Sequence, residues 1–271
     1  MSDVSTATPK ARSGAGADAR YRLAALGSVG LALALWLAAS FAGLLDPNKL
    51  PPVQALAEAV ADLVQNGYSG RSFWAQVGAS MGRALAGFLL AVLVGVPVGI
   101  FIGSSRLFDA VVSPYLTFLR PIPPIALVPL FTFYFGIGEV SKVALIFLTA
   151  FLYMVVNTAS GVRAVPQDLL LASRSLGLSP RQIFFHVTIP AASAAILTGM
   201  RVSMTLSWAL VVAAELIAAQ VGLGFLITDA TTFFRIPYVY VGIVTIGLIG
   251  LALEAGLLLA ERRLLHWRGW Q

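Results

Sequence analysis

The chain has 271 residues, of which 58% are hydrophobic and only 11% are charged; it contains no cysteine, and its formal net charge is +6. Soluble domains carry about 25% charged residues, so this chain cannot cover its surface with polar groups, and lipid must supply the missing contacts. The lack of cysteine excludes a disulfide framework, a thiolate metal site and a cysteine nucleophile. The basic residues lie in short segments between apolar stretches, which indicates membrane orientation rather than nucleic-acid binding.

The first 78 residues are predicted to form a tail, a span and a loop. Residues 1–22 are rich in small and polar amino acids and are expected to be a disordered tail. Residues 23–45 contain no charged side chain and are long enough for a first transmembrane helix, which needs about 20 apolar residues. Residues 46–78 are expected to be an external loop, in which Val53 to Val64 has the pattern of a short amphipathic helix.

Residues 79–271 are predicted to form the core and to hold five more spans, so the fold class is all-α integral membrane protein with about six transmembrane helices. These five spans are expected near residues 84–104, 109–139, 143–162, 191–218 and 238–260. With the N-terminus inside, the inner segments contain eleven Lys and Arg residues against four in the outer segments. Because cytoplasmic loops are enriched in these residues, both termini are predicted to be cytoplasmic.

Residues 163–190 are too polar to span a membrane and carry helix start and stop signals. Asp168 is a predicted N-cap for a helix over Leu169 to Leu176. Gly177 follows that helix, at the position where a glycine adopts a left-handed conformation without steric cost. The sequence therefore predicts a cytoplasmic helix that ends in a tight glycine turn.

A second helix is predicted to begin directly after this turn. Ser179 is the predicted N-cap, Pro180 suits the first helical turn, and Gln182 completes an S-x-x-Q capping box. Pro190 is expected to end the segment, where the next span begins. The apolar side chains of this helix pair either pack onto the protein's own spans or dock in the groove of a partner protein.

The segment resembles the coupling loop of ABC-importer permeases, which is known as the EAA motif. That motif consists of Glu-Ala-Ala, three residues, Gly, and about a dozen residues that lead to an apolar-x-apolar-Pro ending. The matching residues here are Leu171-Ala172-Ser173, Gly177 and Val187-Thr188-Ile189-Pro190, with Leu171 in place of the glutamate. Further blocks, at residues 120–124, 135–139, 173–177 and 214–217, are similar to permeases of the nitrate/sulfonate/taurine branch.

The resemblance implies a type I ABC importer permease fold and a transporter subunit rather than an enzyme. It implies a homodimer of permeases in the bacterial inner membrane, two ATP-binding subunits that bind ATP and Mg, and an extracytoplasmic binding protein. That binding protein would deliver a small anionic solute such as a sulfonate, taurine, nitrate or a similar organic acid. The residues through which the resemblance implies coupling to the ATPase are Leu171, Ala172, Ser173, Arg174, Leu176, Gly177, Ser179, Phe184 and Pro190.

The residues themselves agree that ATP hydrolysis belongs to a separate subunit. The three lysines, Lys10, Lys49 and Lys142, do not follow a glycine, so the phosphate-binding pattern G-x-x-x-x-G-K is absent from the sequence. His186 and His266 are isolated, which gives no metal-ligand spacing, and no cofactor is expected in this chain. An ion-coupled secondary carrier is the alternative function; it would need intramembrane acidic or discontinuous-helix sites and often has inverted repeats.

The predicted translocation pathway centres on a cluster of prolines. A regular helix is implausible at Pro121-Ile122-Pro123-Pro124, and broken backbone at membrane depth is tolerated where it is buried in protein or lines a watery cavity. Arg120 either offers a positive field to an anion or caps freed carbonyl groups. The candidate pathway residues are Arg120, Pro121, Pro123, Pro124, Trp208 and Glu215, although Glu215 also suits a structural ion pair and Trp208 suits packing.

Gly95, Gly99 and Gly103 recur every four residues on one face of the second predicted span. Small residues at this spacing permit close approach of two helices. The sequence leaves open whether the neighbour is a helix of the same subunit or of a second permease.

Overall fold

The computed structural model describes residues 15–46 and 49–264, and the regular structure in these ranges is helical apart from one isolated bridge between Tyr68 and Arg71. The helices are α1 (Ala15–Phe41), α2 (Val53–Gln65), α3 (Phe73–Ser104), α4 (Arg106–Leu119), α5 (Val128–Phe135), α6 (Glu139–Arg163), α7 (Gln167–Ser175), α8 (Pro180–Ile183), α9 (Ile189–Ala218), α10 (Leu223–Thr232) and α11 (Ile236–Leu264). The all-α fold class predicted from composition is confirmed.

The chain divides into two compact units, Met1–Ala57 and Glu58–Gln271. In the first unit, the hydroxyl of Ser40 near the end of α1 accepts a hydrogen bond of 2.9 Å from the backbone N–H of Val53, which is the first residue of α2. The predicted amphipathic helix is therefore present, and a polar contact joins its start to α1.

Two predictions at the N-terminus have different outcomes. Of the predicted disordered tail, residues 1–14 lie outside the described residues, whereas residues 15–22 are helical and belong to α1. The described apolar part of α1, Gly27–Phe41, is shorter than the about 20 residues that a spanning helix needs. The first span at residues 23–45 therefore stays a prediction.

Within the described residues, four helical segments are long and apolar enough to cross a membrane: Phe73–Ser104, Glu139–Arg163, Pro180–Leu216 and Ile236–Leu264. A fifth crossing is possible if the pair formed by Arg106–Leu119 and Pro124–Phe135, which is bent by 90°, counts as one span. Six spans were predicted, and the structure shows four or five of them outside α1.

The helix α3 begins at Phe73, well before the predicted start of this span at residue 84, so the predicted external loop 46–78 ends earlier. The hydroxyl of Ser72 caps α3 by accepting a hydrogen bond of 3.2 Å from the N–H of Ala75. The first turns of α3 carry the polar residues Gln76, Ser80 and Arg83, which are buried against protein. Hydropathy places the start of a span where apolar residues begin and therefore misses turns whose polar groups have protein partners.

The core of the second unit is built from α3, α6 and α9. A Cβ atom added at Gly99 would lie 2.6 Å from Cβ of Thr158 and 2.7 Å from the carbonyl oxygen of Val155, so only glycine permits this approach of α3 to α6. Gly95 and Gly103 meet Met154 and Val162 in the same way. Because the contacts run in the same order along both helices, α3 and α6 are parallel, and the glycine face packs within the subunit.

The helix α9 runs antiparallel to α6, since Gly199 lies against Asn157 and the hydroxyl of Ser203 donates a 3.1 Å hydrogen bond to the carbonyl oxygen of Ala150. The end of this core where α6 ends and the α7–α8 segment begins is called the helix-pair end below. The other end, where α3 and α6 begin and α9 ends, is called the opposite end.

Candidate functional site

The α7 helix ends in a hydrogen-bonded glycine turn. Gly177 has φ of +76°, in the left-handed region where a Cβ atom is unfavourable. Its N–H donates to the carbonyl oxygen of Arg174 at 2.9 Å, and the N–H of Leu178 donates to that of Ser173 at 3.2 Å. This bonding pattern is a Schellman motif, so the predicted left-handed glycine turn is confirmed.

The next helix begins with the predicted capping box. The hydroxyl of Ser179 accepts a bond from the N–H of Gln182, and the side-chain oxygen of Gln182 accepts a bond of 2.8 Å from the N–H of Ser179. Both bonds remove unsatisfied donors at the helix start. The geometry of α7, the turn and the start of α8 is therefore fixed by its own residues. These elements, together with the π turn Phe184–Thr188 that continues α8, are called the helix pair.

Two details of the predicted helix pair are wrong. Asp168 is not an N-cap, because α7 begins at Gln167 after Pro166 and Asp168 lies in the first turn. Pro190 does not end the segment, because the helix continues from Pro180 into α9. The five residues before α9 form a π turn in which the N–H of Ile189 bonds to the carbonyl oxygen of Phe184. The wider turn accommodates a proline ring and its missing N–H group within a continuous helix.

The helix pair has one face that packs on the core and one that does not. Leu170 packs on Val162, Val165 and Ile196, and the buried hydroxyl of Ser173 bonds to the carbonyl oxygen of its own helix at Leu169.

The other face leaves large apolar side chains in the open: Leu176 is 81% exposed and Phe185 is 61% exposed. Of the residues with an implied coupling role, Ser173 is buried and Phe184 half-buried; the exposed ones are Leu171, Ala172, Arg174, Leu176, Gly177, Ser179 and Pro190.

An ion pair joins the base of the helix pair to α4. The guanidinium Nη2 of Arg163, in the last turn of α6, lies 2.5 Å from Oδ1 of Asp109 in the first turn of α4. The hydroxyl of Ser113 donates to the same carboxylate oxygen, and Arg163 also donates a 3.4 Å bond to the carbonyl oxygen of Ile102 at the end of α3. Each charge is favourable for the dipole of its own helix.

The proline cluster breaks the third apolar region as predicted. The α4 helix ends at Leu119, and after a turn the chain resumes as a 3-10 helix over Pro124–Leu127 that leads into α5. The two parts make an angle of 90°. The exposed guanidinium of Arg120 lies 5.9 Å from the ring centroid of Tyr153, a cation–π distance. Pro121 and Pro123 are exposed and Pro124 is half-buried.

A cavity of about 780 Å³ lies beside α5, between it and the residues that follow α9. Its walls include Pro129, Thr132, Phe133, Ile137 and Gln220, so it is mainly apolar with a few polar groups. An open, mostly apolar depression next to broken backbone is the form expected of a passage that is completed by other parts of an assembly.

Glu215 belongs to a buried ion network at the opposite end. Its carboxylate lies 2.5 Å from Nη1 of Arg83, accepts 2.8 Å bonds from the hydroxyl of Ser80, and accepts a 2.9 Å bond from the N–H of Gly224. The side chain is fully buried. Because donors from α3 and α10 occupy its oxygens, this geometry favours the structural alternative for Glu215, and its pathway role stays a prediction.

Arg83 is the centre of this network. Besides Glu215, it binds both carboxylate oxygens of Glu139 at 2.5 and 2.7 Å and the carbonyl oxygen of Val221 at 2.7 Å. The side chain of Glu139 is 63% exposed, so one carboxylate of the network is buried and the other faces outward. Arg120 lies elsewhere, against the ring of Tyr153.

Sequence reasoning missed the network residues on α3. Gln76, Ser80 and Arg83 recur at intervals of four and three residues, which places them on one helical face. Gln76 and Ser80 accept bonds of 2.6 and 2.9 Å from the N–H groups of Gly222 and Leu223. The helical spacing of these three polar residues was the signal in the sequence. It becomes visible only when the predicted span at residue 84 is extended toward the N-terminus.

Trp208 does not line the broken segment. Its side chain is 7% exposed, lies against Gly250 of α11, and donates a 3.0 Å bond to the carbonyl oxygen of Ile246. Trp208 therefore packs α9 on α11, as the packing alternative expects, and its pathway role stays a prediction. On the same pair of helices, Arg201 lies 3.4 Å from both Glu254 and Glu261.

A second polar cluster lies between the end of α2 and the start of α11. The hydroxyl of Tyr238 donates to Asp62, and with a further bond from Asn66 it holds the pKa of Asp62 below its ordinary value. Tyr68 donates a 2.8 Å bond to Asp229; burial, together with this bond, raises the pKa of Tyr68. Among the described residues, no three His, Cys, Asp or Glu side chains group as metal ligands.

Comparisons with known proteins agree with the geometry. The family model described as binding-protein-dependent transport system inner membrane component matches residues 95–266. The taurine transport system permease protein of Escherichia coli (strain K12) is 37% identical over 245 residues, which are 90% of this chain and 89% of that protein. The nitrate import permease protein of Synechocystis sp. is 37% identical over 77% of this chain and 78% of its own length.

A third relative, the putative aliphatic sulfonates transport permease protein of Bacillus subtilis (strain 168), is 34% identical over 87% of this chain and 84% of its own length. A solved structure of the MetNI methionine ABC transporter in inward-facing conformations matches with a TM-score of 0.56 at 19% identity, covering 69% of this chain and 92% of that chain. The latter likeness is one of fold, and it confirms the predicted type I permease fold.

Proposed function

This chain belongs to the family of binding-protein-dependent transport system inner membrane components, and we propose that it forms the translocation pathway for a small anionic solute. It is the membrane permease subunit of an ABC importer and not an enzyme. ATP and Mg are bound by a separate ATPase, and an extracytoplasmic binding protein delivers the solute. The unit that works in the bacterial inner membrane is a homodimer of this chain with two ATP-binding subunits.

The observation that carries this proposal is the exposed face of the helix pair. The Schellman turn and the capping box fix the pair's geometry, yet Leu176 and Phe185 remain largely uncovered by the rest of the described chain. Exposed apolar side chains on a rigid helical element are suited to a hydrophobic groove of a partner. Arg174 and Arg181 flank them and offer positive charge to the same partner.

The helix pair docks in the ATPase, so the helix-pair end is cytoplasmic and the opposite end faces the binding protein. Both termini are then cytoplasmic, with the tail of residues 1–22 inside and the segment of residues 46–78 outside. Closure of the two ATPase subunits moves the helix pairs and opens the permeases toward the outside. The ATP sites and the solute pathway can be coupled in this way because both favour one of two arrangements of the same permease helices.

The pathway wall is the broken segment with Arg120, Pro121, Pro123 and Pro124. Broken backbone at membrane depth belongs beside a watery cavity, and Arg120 supplies an exposed positive charge there. The relatives are named for taurine, nitrate and aliphatic sulfonates, and nitrate and sulfonate groups are oxyanions that a guanidinium binds well. A small oxyanion or organic sulfonate is therefore the proposed class of solute.

The test is an affinity purification of the tagged chain in mild detergent, with copurifying subunits identified and ATP hydrolysis assayed. Gly177→Val forces a β-branched residue into the left-handed region, at a cost of about 1–2 kcal/mol, and is expected to abolish ATP-driven uptake. Gly177→Asn is the matched control, because asparagine tolerates this conformation and should keep most of the uptake.

The proposal is supported if the wild type and Gly177→Asn both recover an ATPase, whereas Gly177→Val recovers less ATPase or hydrolyses ATP without uptake of solute. If the chain purifies alone and transports in liposomes under an ion gradient, it is a secondary carrier. Unchanged ATP-driven uptake by Gly177→Val would show that residues 163–190 are not the coupling loop.

A further inference from the structure

We propose that the ion pair between Arg163 and Asp109 transmits movement of the helix pair to α4, and through α4 to Arg120 in the pathway wall. This inference rests on the proposed coupling function of residues 163–190. It makes Arg163 and Asp109 positioning residues, because neither touches the solute; both act through α4.

The first link is the short connection between Arg163 and the helix pair. Arg163 is the last residue of α6, and α7 begins at Gln167. Between them, Val165 is buried in an apolar cluster with Ala192 and Ile196 of α9. A displacement of the helix pair therefore reaches the end of α6 through only three intervening residues, one of which is fixed in the core.

The second link is the helix α4, which connects the ion pair to the pathway wall and contains Pro114 in its interior. Asp109 lies in its first turn, and Arg120 follows its last residue. Eleven residues at 1.5 Å each separate the two, so Arg120 lies about 16 Å along the axis from the ion pair. Because the helix is broken after Arg120 and bends by 90° toward α5, a tilt of α4 changes the position of Arg120 without an equal movement of α5.

The third point is that the ion pair is what joins the first turn of α4 to α6. In that turn Phe108 packs edge-on against Phe101 of α3, and the apolar contacts further along α4 come from Val112, Leu116 and Leu119. Asp109 lies one turn closer to the helix-pair end, where its contacts are the bonds from Arg163 and Ser113. Near the helix pair, α4 is thus connected to α6 by charge.

A merely structural role would have a different signature. The side chains of Arg163 and Asp109 are 47% and 33% exposed, and ion pairs of this kind contribute little to folding stability. Removing the pair should therefore leave the amount of folded, ATPase-bound protein unchanged. A transmission role instead changes how much solute is moved for each ATP hydrolysed.

The experiment uses the complete complex of permease, ATPase and binding protein in proteoliposomes, with taurine, nitrate and an alkyl sulfonate as the solutes offered. Solute uptake and ATP hydrolysis are measured for Arg163→Gln, Asp109→Asn, the double variant and Arg106→Gln. Arg106 is the matched control: it is an exposed arginine in the first turn of the same helix and makes no ion pair among the described residues.

We expect Arg163→Gln and Asp109→Asn each to lower the solute moved per ATP by about fivefold or more, the low end of ordinary coupling between sites. The double variant should be no worse than either single variant, because both remove the same contact. Arg106→Gln should match the wild type, and the amount of copurified ATPase should be the same for all variants.

Two results would overturn the inference while the proposed function stands: Arg163→Gln behaving like Arg106→Gln, or additive losses in the double variant. A lower yield of folded complex with an unchanged ratio of solute to ATP would also overturn it, since the pair would then be only structural. Failure of the proposed function looks different, because the wild-type chain would then recover no ATPase and show no ATP-driven uptake of any of the three solutes.

Discussion

The two carboxylates that bind Arg83 provide a quantitative test of the ion network, because both pair with this guanidinium and they differ strongly in burial. Glu215 also accepts bonds from Ser80 and Gly224, and Glu139 also lies 3.6 Å from Nζ of Lys142. Glu215 is fully buried, whereas the side chain of Glu139 is 63% exposed. The same substitution, glutamate to glutamine, can be made at both positions. Breaking a buried pair costs about 3–5 kcal/mol, whereas an exposed pair contributes at most about 1 kcal/mol.

For Glu215→Gln we expect a value near the lower end of that range, about 3 kcal/mol, because Arg83 keeps Glu139 as a partner. In a chain of this size, 1 kcal/mol lowers the midpoint of thermal unfolding by roughly 2–4 °C. Glu215→Gln should therefore lower the midpoint by roughly 6–12 °C and Glu139→Gln by less than about 4 °C. The assay is thermal unfolding in mild detergent, followed by tryptophan fluorescence.

Equal shifts for the two variants would refute the reasoning, because burial would then not decide the strength of the two pairs. A Glu215→Gln protein of wild-type stability that has lost uptake would refute it in another way, since the carboxylate would then act in transport and not in holding α3, α9 and α10 together.

Two further predictions concern the helix interface and the pathway. Gly99→Ala places a methyl group against Thr158 and the backbone of α6 and should destabilise the protein by about 1–3 kcal/mol. The control is Gly78→Ala, on the same helix with open space around it, which should be neutral or stabilise the protein by up to about 1 kcal/mol. Equal shifts of the thermal midpoint for the two variants would contradict the close packing of α3 on α6. Arg120→Ala should lower uptake of an anion by about tenfold or more without changing the yield of assembled complex. Arg120→Lys should retain part of the uptake. A parallel loss of uptake and of assembled complex in Arg120→Ala would indicate that Arg120 is a structural cap.

Local signals in the sequence were sufficient for the helix pair. The conformation of Gly177 and the capping box of Ser179 depend on residues within one turn of each other, so a local pattern determines them. Pro190 was misjudged because a proline normally ends a helix, and the π turn that absorbs it depends on how the backbone continues into α9. The break after Arg120 was predictable for the same local reason, since prolines remove backbone donors wherever they stand.

The ion network could not be predicted in the same way. Arg83 binds Glu215 and Glu139, which lie 132 and 56 positions away in the sequence. Hydropathy also placed Arg83 at the boundary of a predicted span and not in the interior of a helix. An isolated acidic residue within a span signals that a partner exists, but it does not say which basic residue supplies it. The packing of α3 beside both α6 and α9 brings Arg83, and not Arg120, to the two carboxylates.

The placement of polar contacts suggests how the subunit can move without losing its fold. At the opposite end, buried bonds of Arg83 and Glu215 join α3, α9 and α10, and buried pairs of this kind are costly to break. At the helix-pair end, the contact between α4 and α6 is a half-exposed ion pair whose loss costs little. Between the two, the break after Arg120 uncouples α4 from α5. A force applied to the helix pair is therefore expected to tilt α4 before it disturbs the opposite end, which places the greatest displacement at the pathway wall.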